Sequence, residues 1–198
     1  MKETPIIMSG DHPKILDGIK AMTRRTWGLE KVNESPDDWE IEAQNGATWV
    51  FRNKASWVRV FCKCPYGQVG DMLWVRETWA TYASRNRWKP SLLHPDEPIF
   101  YKASEEYPHQ YVWRPSIFMP RWASRITLEI TEVRVERLQE ISREDSLAEG
   151  VSWQDYKQDY KWAFAKLWDS LNAKRGYSWE VNPWAWVLIW GGVGVKLK

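Results

Sequence analysis

The sequence predicts an α+β domain, a mixed β-barrel of about six to eight strands with about three helices and long loop insertions. Three stretches carry that prediction. Between Asp71 and Trp79, Leu73, Val75, Glu77 and Trp79 share one strand face, while Met72, Trp74 and Arg76 share the other. Between Ser124 and Leu138, Ile126, Leu128 and Ile130 share a face, and Val133 and Val135 fall in the opposite phase. One extra residue near Thr131-Glu132, a β-bulge, restores a common inward face, and curved strands of this kind suit small barrels. From Gln154 to Lys174, the residues Tyr156, Tyr160, Phe164, Leu167 and Leu171 form a helical stripe ended by Gly176.

The other elements follow from local signals. Pro5 to Ser9 reads as a short apolar strand. Asp11 is placed to N-cap a short helix with Pro13 in its first turn and Ile15, Leu16 and Ile19 on its apolar face, and Gly18 ends it near Lys20. Met22 to Trp27 reads as extended. Residues 28–60 hold two strand-like stretches, Trp49 to Arg52 and Trp57 to Phe61. Residues 80–123 look irregular, with one strand at Ile99 to Lys102 and a basic, aromatic run at Arg85, Arg87, Trp88 and Lys89. Ser142-Arg-Glu-Asp145 matches a capping box opening a short helix that stops at Gly150. Trp184 to Trp190 is apolar on both faces and reads as a central strand, with Gly191-Gly192-Val-Gly194 as a tail. The chain is expected to be one domain, 1–198, with insertions at 28–60 and 80–123.

Composition bounds the function classes. The 28 basic and 26 acidic residues nearly cancel, so nucleic-acid binding cannot be argued from bulk charge. The 16 tryptophans are too many to bury fully, and some faces are available for stacking on planar ligands. No apolar run is long enough for a membrane span, and Met1 to Ile7 lacks the pattern of a signal peptide. The only cysteines, Cys62 and Cys64, are too close for a relaxed disulfide. They and His12, His94 and His109 lack metal-type spacing. A cytoplasmic protein without metal or cofactor is expected.

No phosphate loop, Ser/His/Asp pattern or HExxH motif is present. What remains is Gly18-Ile-Lys20-Ala-Met-Thr23-Arg24-Arg25. Lys20 and Thr23 can converge across a helix end or turn, but would face opposite ways on a strand. A threonine hydroxyl needs a base to become a nucleophile, and a lysine serves if burial or neighbouring cations such as Arg24 and Arg25 favour its neutral form. Taken alone, Lys-x-x-Thr is a common spacing and an ordinary structural role is clearly favoured for it, with the arginines solvated or in contact with phosphate. Glu77 reads either as a strand-end carboxylate in water or paired with an arginine, or as a partly buried carboxylate beside a pocket.

Gly18-x-Lys20-x-x-Thr23-x-Arg25, Gly70-Asp71-x-Leu73-x-Val75 and Ala148-Glu149-Gly150 together resemble the ASCH family of PUA-like barrels linked to RNA. The resemblance is closer to ASCH proteins carried by phages and prophages. It is carried by Cys64-Pro-Tyr-Gly67, Leu73-Trp-Val-Arg-Glu-Thr-Trp79, Trp113-Arg-Pro-Ser116, Met119-Pro-Arg-Trp122-Ala-Ser-Arg125 and Asn182-Pro-Trp184. A small bacterial member removes the acetyl group of N4-acetylcytidine, and its Lys, Thr and Glu match Lys20, Thr23 and Glu149. The resemblance implies that Thr23 attacks the amide carbonyl, that Lys20 is the base, that Glu149 orients Lys20 and returns the proton, and that Arg25 steadies the oxyanion or the substrate. This chain is longer than that enzyme and has Arg24 where an apolar residue is the rule. The alternative is an RNA-binding module without chemistry, in which Arg25, Arg76, Arg114, Arg121 and Arg125 contact phosphates and Trp79 or Trp122 stacks on bases, with Glu77 nearby. A ribonuclease ranks last, because no histidine pair or metal-binding carboxylate cluster is evident.

Overall fold

A computed structural model describes residues 1–8, 10–104, 111–152 and 159–195. The fold is α+β. Its main sheet has five strands in the order β1-β6-β9-β10-β2, where β1 is Glu3–Ile7, β2 Met22–Arg25, β6 Met72–Arg76, β9 Ile126–Arg137 and β10 Trp184–Val195. β1 runs parallel to β6, and the other pairs are antiparallel. Short helices α1 (His12–Leu16), α2 (Glu30–Asn33) and α3 (Arg143–Ala148) decorate the sheet, and α4 (Tyr160–Asn172) is the longest.

The barrel expected from the sequence is not closed. Among the described residues no ladder joins the two edge strands, β1 and β2. β2 is only four residues long and spends its ladder on β10. The Arg25 side chain spans between them instead, its Nη2 donating to the Ile7 carbonyl at 2.7 Å and lying 3.2 Å from the Met8 sulfur.

Region 28–60 holds structure that the sequence only half announced. β3 (Trp39–Asn45), β4 (Thr48–Asn53) and β5 (Arg59–Lys63) form a second, three-stranded antiparallel sheet. Its inner face packs on β10: Trp49 meets Trp186 edge-on at 5.0 Å and Phe51 meets Trp184 at 5.2 Å. β3 was not foreseen, because most of its residues are exposed and polar and its apolar alternation is weak. β4 contains the first expected stretch; β5 overlaps the second but starts two residues later, because Trp57 lies in the connection between the strands at φ +62.

The phase change in β9 is a real bulge. Ile189 pairs with Glu132 and Trp190 with Ile130, so Thr131 is the extra residue. Ile126, Leu128, Ile130 and Val135 are buried, as that bulge requires. β10 is central, flanked by β9 and β2, and its first five residues are buried in succession. The glycine run is not a tail: Val193, Gly194 and Val195 continue the ladder opposite Leu128, Thr127 and Ile126. Among its described residues, region 80–123 carries β7 (Trp79–Ala80, which begins one residue before it), β8 (Phe100–Tyr101) and several 3-10 turns, built on a small core of Trp79, Leu93, Tyr101, Met119 and Ala123.

Helix ends also depart in part from the sequence signals. α1 stops at Leu16, with Gly18 at φ +70. Asp11 makes no side-chain cap there and turns to Lys20 instead. Ser142 does cap α3, accepting from the Asp145 amide at 3.0 Å. The expected start of the last helix, residues 154–158 with Tyr156, lies outside the described residues, as does Ser9 at the end of the first strand. From Asp159 onward α4 buries Ala163, Phe164 and Trp168, while Leu171 stays exposed. Among the described residues, no helix is long and apolar enough to cross a membrane.

Asn33 fastens α2 to the central strand. Its amide donates to the Trp184 carbonyl at 3.0 Å and its oxygen accepts from the Trp184 amide at 2.7 Å, all of it buried. Asn33→Leu leaves both backbone groups of Trp184 without partners. The expected cost is about 1–3 kcal/mol for each group, read as a fall in the urea midpoint with an unchanged slope.

Candidate functional site

The site is built where α3 ends against the start of β2. The Ala21 amide donates to the Ala148 carbonyl at 2.8 Å, and the Trp190 amide donates to the Ala21 carbonyl at 3.1 Å. The end of α3, the entry to β2 and the central strand β10 are thereby locked in one register. Glu149 follows the last turn of α3, and Gly150 takes φ +87, a left-handed conformation that ends the helix there.

Lys20 is buried, 3% exposed, and its ammonium is held by acceptors on different sides. It donates to the Glu149 carbonyl at 2.6 Å and to Glu149 Oε2 at 3.0 Å, and lies 3.5 Å from Asp11 Oδ2. One cation thus caps a helix C-terminus and neutralises the carboxylate beside it. Thr23 lies on β2 opposite Leu188 and is also buried. Lys20, Thr23 and Glu149 line the same cavity, so the structure brings the three sequence-derived candidates together.

The other carboxylate oxygen of Glu149 belongs to Arg24, whose Nη1 donates to Oε1 at 3.3 Å. Strand alternation sends Arg24 away from the face that carries Thr23 and Arg25. There its guanidinium also pairs with Glu136 of β9 and with Asp145 of α3 at 2.7 Å, under the ring of Phe164 at 5.6 Å. Arg134 backs the same carboxylates, 2.5 Å from Asp145 and 3.1 Å from Glu136. Burial pulls the Arg134 guanidinium down, but hydrogen bonds to Asp145 and Glu132 and the charge of Glu136 outweigh it and raise its pKa above the ordinary value. Arg24 stands out as a residue whose role sequence reasoning missed. The signal was its place between Thr23 and Arg25, where the family resemblance led to the expectation of an apolar residue.

The cavity is about 190 Å³. That is below the range of about 300–1,000 Å³ for drug-sized sites and suits a ligand no larger than a base with a small substituent. Besides the triad and Arg24, it is lined by Asp11, Arg25, Trp27, Tyr66, Phe164, Trp168 and Arg175, among others. Trp27 is 57% exposed and meets Tyr66 edge-on at 5.8 Å. Its backbone carbonyl is fixed by the Trp186 indole N–H at 3.0 Å. Trp27, Tyr66 and Arg175 were not singled out as site residues from the sequence, although Trp27 and Tyr66 lie in or beside quoted motifs. Arg175 carried no signal, because it reaches the cavity from a 3-10 turn, Ala173–Arg175, far away in the chain.

The remaining candidates lie elsewhere. Glu77 is fully buried and forms a two-pronged pair with Arg125 at 2.8 and 2.9 Å, so its paired reading holds and it does not line the cavity. Arg125 stacks 4.1 Å from the Tyr101 ring and reaches Ser104 Oγ at 2.7 Å. Burial and the charge of Glu77 push the Tyr101 phenol up to about 12. Trp79 is fully buried in the core of region 80–123 and has no face free for a base. Trp122 packs against that same core. Arg76 and Arg121 both approach the Trp74 ring, at 4.8 and 5.9 Å, and Arg121 pairs with Glu3. None of these residues lines the cavity. Burial pushes the Cys64 thiol up to about 11 and raises the Cys62 thiol, which keeps both in the unreactive form. Among the described residues, no group of three His, Cys, Asp or Glu is arranged to hold a metal ion.

No family model matches the chain, and no curated protein matches it. Among solved structures, a match is found to protein EF3133 from Enterococcus faecalis V583, described under the family model DUF984. The identity is 9% and the TM-score 0.41, covering 94% of this chain and 67% of that one. At that level the likeness does not establish a shared fold.

Arg24→Met removes the cation shared by Glu136, Asp145 and Glu149, leaving Glu149 to Lys20 and the other two carboxylates to Arg134. A loss of about 1–3 kcal/mol is expected, the usual cost of hydrogen bonds lost to charged groups, measured by urea unfolding. Arg24→Lys recovers only part of it, because one ammonium cannot reproduce the fork that serves several carboxylates.

Proposed function

We propose that this chain is an ASCH-type domain whose cavity binds the base of a modified nucleoside or RNA residue and hydrolyses an amide on it. N4-acylated cytidine is the substrate class. The supporting observation is the convergence of Lys20, Thr23 and Glu149 on one small cavity beside the exposed ring of Trp27.

The chemistry runs through a proton relay. Thr23 Oγ1 attacks the amide carbonyl carbon, and the carbonyl π electrons move to oxygen. The hydroxyl proton passes to Lys20 as Lys20 gives one of its own to Glu149 Oε2, 3.0 Å away. The relay matters because the ammonium is arranged as a donor to Glu149 and beside Asp11, so it can accept a proton only by handing one on. Collapse of the tetrahedral intermediate breaks the C–N bond, and the departing amine takes the proton back from the relay. Water then hydrolyses the threonine ester and releases the carboxylic acid. Arg25 supplies positive charge to the oxyanion or the bound substrate, and Trp27 offers a face to the base.

Wild-type protein is expected to turn over N4-acetylcytidine to cytidine and acetate. Lys20→Ala is expected to lower kcat by about 10²–10⁴, the range for losing a general base, and Thr23→Ala by more, because it removes the nucleophile itself. Absence of turnover by the wild type overturns the hydrolytic reading. RNA binding that weakens with salt yet survives Thr23→Ala then favours the binding module, a reading to which the fully engaged Lys20 ammonium lends support.

A further inference from the structure

The cations around the cavity are not equivalent. Lys20 and Arg24 are each ion-paired with carboxylates. Arg25 and Arg175 line the same cavity and have no carboxylate partner among the described residues. Arg25 donates through Nη2 alone, to the Ile7 carbonyl and toward the Met8 sulfur. Its Nε is buried without a hydrogen-bond partner, and its Nη1 has none among the described residues. Arg175 is exposed, and its one described contact is the Tyr177 ring at 6.0 Å. The two guanidiniums come from unrelated elements, one from β2 and one from the turn after α4. They nevertheless bear on one point: burial raises the pKa of the Tyr66 phenol, and the charges of Arg25 and, more weakly, Arg175 offset part of that rise.

Two guanidiniums without a carboxylate partner among the described residues, lining a cavity the size of one base, suit an anion. A neutral nucleoside leaves both without a counter-charge, whereas a phosphate accepts charge-assisted hydrogen bonds from the Arg25 Nη1 and from the Arg175 guanidinium. We propose that the ligand of this cavity is phosphorylated: a nucleotide whose base lies inside beside Trp27 and whose phosphate is held between Arg25 and Arg175. This rests on the reading of the cavity as a base site but not on amide hydrolysis. The phosphate belongs either to a free mononucleotide or to an RNA strand presenting one residue, and the chemistry of the clamp is the same in both.

Titration calorimetry with cytidine, cytidine 5′-monophosphate, inorganic phosphate and a short oligocytidylate tests it. The monophosphate is expected to bind at least about tenfold more tightly than cytidine, with an advantage that shrinks as salt rises. Arg175→Ala, at an exposed position, is expected to erase most of that advantage, and Arg175→Lys to restore part of it. Arg25→Gln is expected to do the same as Arg175→Ala, with circular dichroism melting to show that the variant is folded. Oligocytidylate binding more tightly than the monophosphate assigns the phosphate to a strand, and the reverse order to a free nucleotide; both support the clamp. Equal binding of cytidine and its monophosphate by the wild type overturns the proposal, as does an advantage unchanged in both arginine variants. Binding of none of the four overturns the base-site reading together with the clamp. Monophosphate preference without N4-acetylcytidine turnover sinks the hydrolytic reading and leaves the clamp standing.

Discussion

Glu149 is the group on which the site depends. Its carboxylate is buried and lies between two buried cations, Lys20 on one oxygen and Arg24 on the other. A buried carboxylate of this kind is tolerable only when both oxygens are satisfied. Satisfying them ties the end of α3 to β2 through Lys20, and to β9 through Arg24 and Glu136. The stable geometry of the fold and the placement of the candidate relay are therefore one arrangement. Any motion of Glu149 away from Lys20 also disturbs a network that reaches Arg134.

The tryptophans divide along the same line between packing and display. Trp184 and Trp186 sit in the central strand and meet the second sheet edge-on, through Phe51 and Trp49. Their large rings join the two sheets across the core, so region 28–60 is part of the central packing and not an appended loop. Trp27 is different: its backbone is pinned by Trp186, and its ring is left at the cavity mouth. A rigid backbone under an exposed ring suits a stacking surface, because little conformational freedom is lost when a ligand settles on it.

Much of the frame was legible in the sequence because its signals are local. The phase switch across Thr131-Glu132 marks a bulge, since side-chain alternation in a strand has period two and one inserted residue inverts it. The Ser142 cap and the double-faced apolar run at Trp184 work in the same short-range way. β3 was illegible because an exposed strand with a polar outer face carries little hydrophobic alternation. The glycine run of β10 was misread because its pairing with Ile126–Leu128 depends on a partner some sixty residues away, and glycine has no side chain to announce it.

For the site, the family resemblance carried by the sequence nominated the candidates: Lys20, Thr23 and Glu149, and the arginines beside them. Only the tertiary structure decided which of them meet. Glu77, on the buried face of its strand as the alternation requires, was matched with Arg125 and removed from consideration, whereas Arg175 was brought to the cavity from the far side of α4. The physical reason is that charge pairing acts over a few ångströms in space and is indifferent to separation along the chain. Alternation and helical stripes tell which way a side chain points, but not which opposite charge waits there.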